Sequence, residues 1–310
     1  MQRKFESGPI IKPQRTEMLA QPEKAENFLL THPAYNLTDI VLQSRQAQNI
    51  REVLALAQHE ELIFQTWGLD KVIKRGRGLK VNLYGEPGTG KTMAAHAIAG
   101  ELQRPLLEVN YAEIESKFVG ETSKNIVALF RIAKEKNAVL LFDEADALLS
   151  RRVTEMHSSS DVSVNQTRSV LLKLLDEYSG ICLFTTNFIR NYDAAFMRRI
   201  TFHIYFGLPD ETQRQRLWEH YLVDSLPHDA DAKELAGKFP GVSGSDIANA
   251  VLSAAIRAAV CEATVISQCD LEQATADILR AKQKNSLETI EAQEISEEYA
   301  RTALDGGATL

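Results

Sequence analysis

The amino-acid sequence predicts an α/β fold: a parallel five-stranded sheet flanked by helices, followed by a small helical domain. Three observations carry this reading. Between residues 79 and 206, five short apolar segments alternate with longer stretches of helical spacing, as parallel strands joined by crossover helices require. Two of them, Ala138 to Phe142 and Ile181 to Thr185, are near-continuous apolar runs, the pattern of strands buried on both faces. Beyond Pro209 and Asp210 the pattern turns helical, with no further strand.

Taken in order, residues 1–32 mix charge with Pro9, Pro13 and Pro22 and show no apolar period, so they read as a flexible N-terminal extension. A large α/β domain is expected over 33–208. Ile50, Val53, Leu54 and Leu56 have helical spacing. Leu79, Val81 and Leu83 alternate into glycines as a strand, and Met93 to Leu102 reads as an Ala-rich helix. Leu106 to Asn110 is a second strand and Asn125 to Lys134 a helix, while Phe202, Ile204 and Phe206 give the last strand. Thr154 to Val164 is polar and aperiodic and reads as a loop. The helical domain, 209–286, holds Arg214 to Leu222, Ala232 to Phe239, Ser245 to Glu262 and Leu271 to Gln283. Residues 287–310 form an acidic, helix-compatible tail.

Composition narrows the function classes. Of 310 residues, 44% are apolar, enough for a substantial core, yet no apolar run reaches the roughly 18 residues of a membrane span. The longest, Ala248 to Val260, contains Ser253 and Arg257 and reads as a buried helix. Met1 to Lys12 has no apolar segment of a secretory signal, so a cytoplasmic location is expected. Cys182, Cys261 and Cys269 lack metal-ligand spacing and sit among apolar residues, so they read as buried free thiols. A net charge of −7 argues against nucleic acid as the main partner, since phosphate binding needs a concentrated basic surface. No H-E-x-x-H protease motif is present.

The segment Gly85-Glu86-Pro87-Gly88-Thr89-Gly90-Lys91-Thr92 fits the phosphate-loop pattern G-x-x-x-x-G-K-[ST], with a strand before it and a helix after it. Glycines let the chain curl so that backbone N–H groups converge on phosphate oxygens, and the helix that follows adds its positive end there. Glu86 to Met93 are therefore the expected nucleotide-binding residues. Lys91 reaches the phosphates, and the Thr92 hydroxyl ligates Mg²⁺. At the end of the strand Ala138 to Phe142 stand Asp143 and Glu144. Asp143 is placed to hold the Mg²⁺ shell and Glu144 to polarise the attacking water. Asn187, just past the strand Ile181 to Thr185, is read as a polar sensor of the water or γ-phosphate, although a turn Asn is the bland alternative. Arg198 and Arg199 precede the last strand; an arginine there can stabilise transition-state charge in trans, whereas two surface cations are the plain alternative.

With these residues in view, the chain resembles the AAA family of ATPases over about Asp39 to Gln283. Ser116-Lys117-Phe118-Val119-Gly120-Glu121 is similar to the aromatic pore loop of protein-remodelling members such as katanin and spastin. Asp193 to Asp210 resembles the region that carries the arginine finger, and Gly241-Val242-Ser243-Gly244-Ser245-Asp246 the start of the lid helix. The pattern is that of the short single-module bacterial and plastid members, related to bacterial remodellers of HORMA-domain proteins. The resemblance implies a P-loop NTPase (AAA+) fold with sheet order 5-1-4-3-2, a helical lid, ATP and Mg²⁺, and a homo-hexameric ring with the finger acting in trans. It further implies that Lys117, Phe118, Val119 and Gly120 line a pore that grips a client polypeptide. Ile40 and Val41 match the stretch beside the adenine, and Gly244 and Ser245 the start of the lid. Many members carry a further arginine where this chain has Phe202, which makes Arg199 the main finger with Arg198 in support. HORMA-domain signalling proteins, a carboxylase-type enzyme complex or a membrane-remodelling filament are all compatible clients, reached directly or through an adaptor. A nucleic-acid motor and an ATP-controlled assembly scaffold are the competing readings. The first would need a basic pore, and the second would have no need of the full hydrolytic set.

Overall fold

A mostly parallel, six-stranded sheet organises the first part of the chain. The computed structural model describes residues 30–73, 78–110, 122–149, 159–187 and 192–284. Its strands are β1 (Leu30–Thr31), β2 (Lys80–Gly85), β3 (Leu106–Asn110), β4 (Val139–Asp143), β5 (Cys182–Thr186) and β6 (Phe202–Phe206), in the order β1-β3-β4-β5-β2-β6. The five longer strands pair in parallel, in the expected 5-1-4-3-2 arrangement. The sixth is a correction to the five-stranded expectation. Leu30 and Thr31 lie antiparallel against Leu107 and Leu106, at the edge of the sheet. A two-residue strand is too short to leave a period in the sequence.

Two layers of helix cover the sheet. On one face lie α1 (Ser44–Gln58) and α2 (Lys91–Glu101). Helix α2 is buried nearly all round, with Ala94, Ala95, Ala97, Ile98 and Ala99 inaccessible to solvent. Its small side chains let it sit close on the strands, where they pack with Val81, Leu83 and Leu183. On the other face lie α3 (Thr122–Glu135), the single turn α4 (Asp146–Leu149) and α5 (Ser159–Glu177). There Phe142 and Phe184, neighbours on β4 and β5, stack with centroids 5.0 Å apart and planes 9° from parallel. The polar stretch expected to be a loop through Val164 is helical from Ser159 onward. The apolar residues Leu171, Leu172 and Leu175 anchor α5, and the helix extends cooperatively through residues with little period of their own.

A turn, α6 (Ala194–Met197), precedes β6. The chain then enters a helical part built from α7 (Glu211–Tyr221), α8 (Ala232–Lys238), α9 (Gly244–Val260) and α10, residues 268–284. Trp218, Leu235, Ile247, Ala250, Ala254 and Leu271 form a separate core there. Ser243 caps α9: its hydroxyl accepts the Asp246 N–H, and the Asp246 carboxylate accepts the Ser243 N–H at 2.7 Å. Such a cap is worth about 1 kcal/mol. Burial acts to raise the Asp246 pKa, but hydrogen bonds from Lys282 and Ser243 outweigh it and hold the carboxyl below its ordinary range. Lys282 reaches Asp246 at 2.5 Å and Arg257 reaches Asp277 at 2.7 Å, so α10 lies antiparallel on α9.

Two expectations about burial are corrected. Helix α9 buries only one side: Leu252, Ile256 and Val260, spaced four apart, are 59%, 56% and 79% exposed. Of the three thiols only Cys182 is buried, and that environment pushes its pKa up to about 12. Cys261 caps the end of α9 and Cys269 lies in the first turn of α10, both on the outside. Apolar neighbours in sequence do not bury a residue when it falls on the outer face of its helix.

Candidate functional site

The site forms at the C-terminal edge of the sheet, where the loops after β2, β4 and β5 meet the helical part. Strands β2 and β5 are neighbours, and the crossover that leaves β2 runs toward β3 whereas the one that leaves β5 runs past β2 to β6; α/β sheets open a crevice at such a switch point. A cleft of about 500 Å³ occupies this place.

Its floor is the loop between β2 and α2. Gly88 and Gly90 take left-handed backbone angles, φ 73° and 92°, which the curl of the loop requires. Gly88 has a second constraint, because a Cβ there would lie 2.0 Å from the Ser245 hydroxyl. The Gly88 carbonyl accepts the Ser245 N–H at 3.1 Å, so the loop is bonded to the first turn of α9. The Lys91 ammonium donates to the carbonyls of Gly85 and Glu86, at 3.1 and 2.8 Å. Burial lowers its pKa from the ordinary lysine value, against the opposing pull of Asp146, Asp143 and Glu86. A desolvated ammonium held by carbonyls has unmet demand for anionic oxygen, and the N-terminus of α2 lies beside it.

The acidic wall comes from β4. The Thr92 hydroxyl donates to Asp143 Oδ1 at 3.0 Å, joining the loop to the strand end. A hydroxyl and a carboxylate oxygen in contact, both on a cleft that also holds Lys91, fit the hard-oxygen shell of a Mg²⁺ ion that arrives with a triphosphate. Glu144 follows with φ 51°, an uncommon conformation for a residue with a side chain, and it lines the cleft. Asn187 lines it too, and its backbone N–H donates to Asp146 at 3.1 Å.

The cleft thus brings together Ile40, Val41, Pro87 to Met93, Asp143, Glu144, Asn187, Gly244 and Ser245. Glu86 is not part of the cleft lining; its carbonyl accepts from Lys91 and, at 2.7 Å, from the Thr89 hydroxyl. Arg198 and Arg199 lie outside the cleft lining. Arg198 is exposed. Arg199 is held within the chain by two parallel hydrogen bonds to Asp176, at 2.9 and 2.8 Å, and by a third to the Ala195 carbonyl. Lys117, Phe118, Val119 and Gly120 lie outside the described residues.

Several contributors are absent from the sequence reading. Leu217 and Tyr221 of α7, four apart and flanking the buried Trp218, line the cleft from the helical side. Gln46 of α1 donates to the Tyr205 carbonyl at 3.0 Å, and Gln43 reaches Gln213 of α7 at 3.2 Å, tying the two parts of the chain beside the cleft. The i, i+4 spacing of Leu217 and Tyr221 was visible in sequence, but their facing was not. Thr185 also lines the cleft.

Comparison with known proteins agrees with this geometry. Residues 81–208 match the model of the ATPase family associated with various cellular activities (AAA). The chain is 30% identical over 244 residues to Cell division protein C of Sulfolobus acidocaldarius, covering 73% of this chain and 64% of that protein. It is 30% identical over 262 residues to the proteasome-activating nucleotidase of Methanopyrus kandleri, covering 82% and 58%. Spastin of Drosophila melanogaster is 32% identical over 232 residues, 71% of this chain and 29% of the relative. In each case the chain spans less than two thirds of its relative. No helix among the described residues is long and apolar enough to cross a membrane. With the phosphate loop, the acidic strand end and the helical cover meeting at one cleft, the chain carries an ATPase domain of the AAA family.

Proposed function

We propose that this protein is an ATP-driven, protein-remodelling motor that works in the cytoplasm as a homo-hexameric ring and draws a client polypeptide through its pore. The observation that carries the reading is the single cleft in which Lys91, Thr92, Asp143, Glu144 and Asn187 converge under the first turn of α9. Lys91 and the loop N–H groups hold the triphosphate, Ile40 and Val41 flank the base, and Gly244 and Ser245 close the cleft from the helical side. Thr92 and Asp143 would hold Mg²⁺, which supplies charge neutralisation at the phosphate oxygens. Glu144 takes the proton of the attacking water as Asn187 orients it. Because Ser245 is bonded to the loop, a change at the phosphates is passed to the helical part. The likeness to a proteasome-activating nucleotidase and to spastin supports the remodelling class. The client, compatible with a HORMA-domain protein, is engaged by Lys117, Phe118, Val119 and Gly120.

Arg199 acts on the cleft of the next subunit, with Arg198 in support. To do so it exchanges Asp176 for the phosphate, two planar bidentate partners of similar shape. Arg199→Ala lowers turnover on the order of 10³-fold. Arg199→Ala and Glu144→Gln chains, each inactive alone, regain phosphate release when mixed, because some interfaces then carry both intact groups. No regain on mixing sinks the trans assignment.

The test of the whole reading is capture. Glu144→Gln, loaded with ATP, is used to pull down partners with and without Phe118→Ala, read by mass spectrometry. A protein retained only when Phe118 is present supports threading. Retention of nucleic acid, or of the same partners regardless of Phe118, overturns it in favour of a nucleic-acid motor or an assembly scaffold.

A further inference from the structure

We propose that Thr185, at the end of β5, is a positioning residue for hydrolysis: its hydroxyl sets the metal-facing carboxylate and the water-activating glutamate together. The proposal rests on the ATPase reading above and assigns a role to a residue that none of the motifs contains.

The Thr185 side chain stands between two functional groups. Its hydroxyl donates to Asp143 Oδ1 and accepts the Glu144 backbone N–H at 3.1 Å. Its own carbonyl accepts the Ala145 N–H at 2.9 Å. The three residues that leave β4 are thus pinned by one residue of β5, just where the ladder ends at Phe142 and Phe184. This matters because Glu144 has φ 51°, and a non-glycine residue stays in that region only when its surroundings over-determine it. The Asp143 oxygen that Thr185 contacts also accepts the Thr92 hydroxyl. Two hydroxyls fix one carboxylate oxygen of Asp143, and the second oxygen would help to hold Mg²⁺. Thr185 is 2% exposed and lines the cleft, so water does not replace it readily.

The chemistry demands a hydroxyl. The group must donate to a carboxylate and accept an amide at once; serine can do both, whereas valine, of equal shape, and alanine can do neither. A residue that merely completes a strand end would affect stability and leave the split between binding and turnover unchanged.

The experiment compares Thr185→Val, Thr185→Ala and Thr185→Ser. Phosphate release gives kcat and KM. Binding of a fluorescent ATP analogue across a Mg²⁺ titration, measured with Glu144→Gln also present, gives a readout without turnover. The expected result is a kcat lower by about tenfold or more in Val and Ala, with KM within about threefold of the parent. The Mg²⁺ half-point for analogue binding shifts upward by about threefold or more, while affinity in EDTA is unchanged. Serine restores both readouts. If Val and Ala keep the parent kcat and Mg²⁺ half-point, or if Ser behaves as they do, the proposal is overturned. The Ala variant, which adds no bulk, keeps the test open should Val fail to fold. Failure of the ATPase reading itself looks different: the native chain, with Thr185 intact, would then release no phosphate.

Discussion

Glu144→Gln is expected to lower ATP turnover by about 10²–10⁴-fold while leaving nucleotide affinity close to that of the parent. The argument starts from what each group touches. In the proposed mechanism phosphate recognition falls to the Lys91 ammonium, whose hydrogen bonds go to the Gly85 and Glu86 carbonyls, and to the glycine-bearing loop and the start of α2. The Glu144 backbone is held by Thr185, and the residue is exposed and lines the cleft. Glutamine has the same length and branching, so the turn after β4 keeps its shape. What is lost is the basic oxygen that accepts a proton from water. Phosphate release and equilibrium binding of a fluorescent nucleotide, measured on one preparation, check the two halves separately. Turnover within a fewfold of the parent would remove Glu144 from the mechanism. A parallel loss of binding would make it a structural residue.

The largest stability effect is expected at Phe184. Its ring is stacked on Phe142 and both are at most 1% exposed, in the core between the sheet and helices α3 and α5. Phe184→Ala removes the stacking and leaves a cavity that the surrounding strands cannot close, a loss of about 3–5 kcal/mol. Urea unfolding followed by far-UV circular dichroism should show a midpoint shifted to lower denaturant with a nearly unchanged slope. The same change reaches the site. Phe142 directly precedes Asp143 and Phe184 directly precedes Thr185, so loosening this pair frees both partners of the Asp143–Thr185 contact. Turnover should fall as well, even where the variant remains folded. A stability loss below about 1 kcal/mol would mean that the rings contribute far less than their burial indicates.

Much of this molecule is legible before folding. The strand-loop-helix of the phosphate site is written in contiguous residues, since Gly88 and Gly90 permit the curl and Lys91 opens α2. The end of β4 is marked by an abrupt change from apolar to acidic residues. The cap of α9 lies in Ser243 and Asp246, three positions apart. Less legible were features with no repeat to read. Strand β1 is two residues long, and the start of α5 is polar. Cys261 and Cys269 have apolar neighbours yet face outward.

What the sequence determined by itself is therefore the set of local motifs and the order of strands and helices, because turn conformation, capping and periodicity depend on residues within a few positions of one another. What the tertiary structure decided is which distant groups meet. Thr185 joins Asp143 from a strand 42 positions away in sequence. Ser245 closes on Gly88, and Gln43 on Gln213. Arg199 turns to Asp176, and Leu217 and Tyr221 face the cleft while Trp218 between them is buried. Each of these contacts depends on strand register and helix rotation, which are settled only when the apolar faces pack, since a shift of one residue would turn every side chain of a strand to the opposite face.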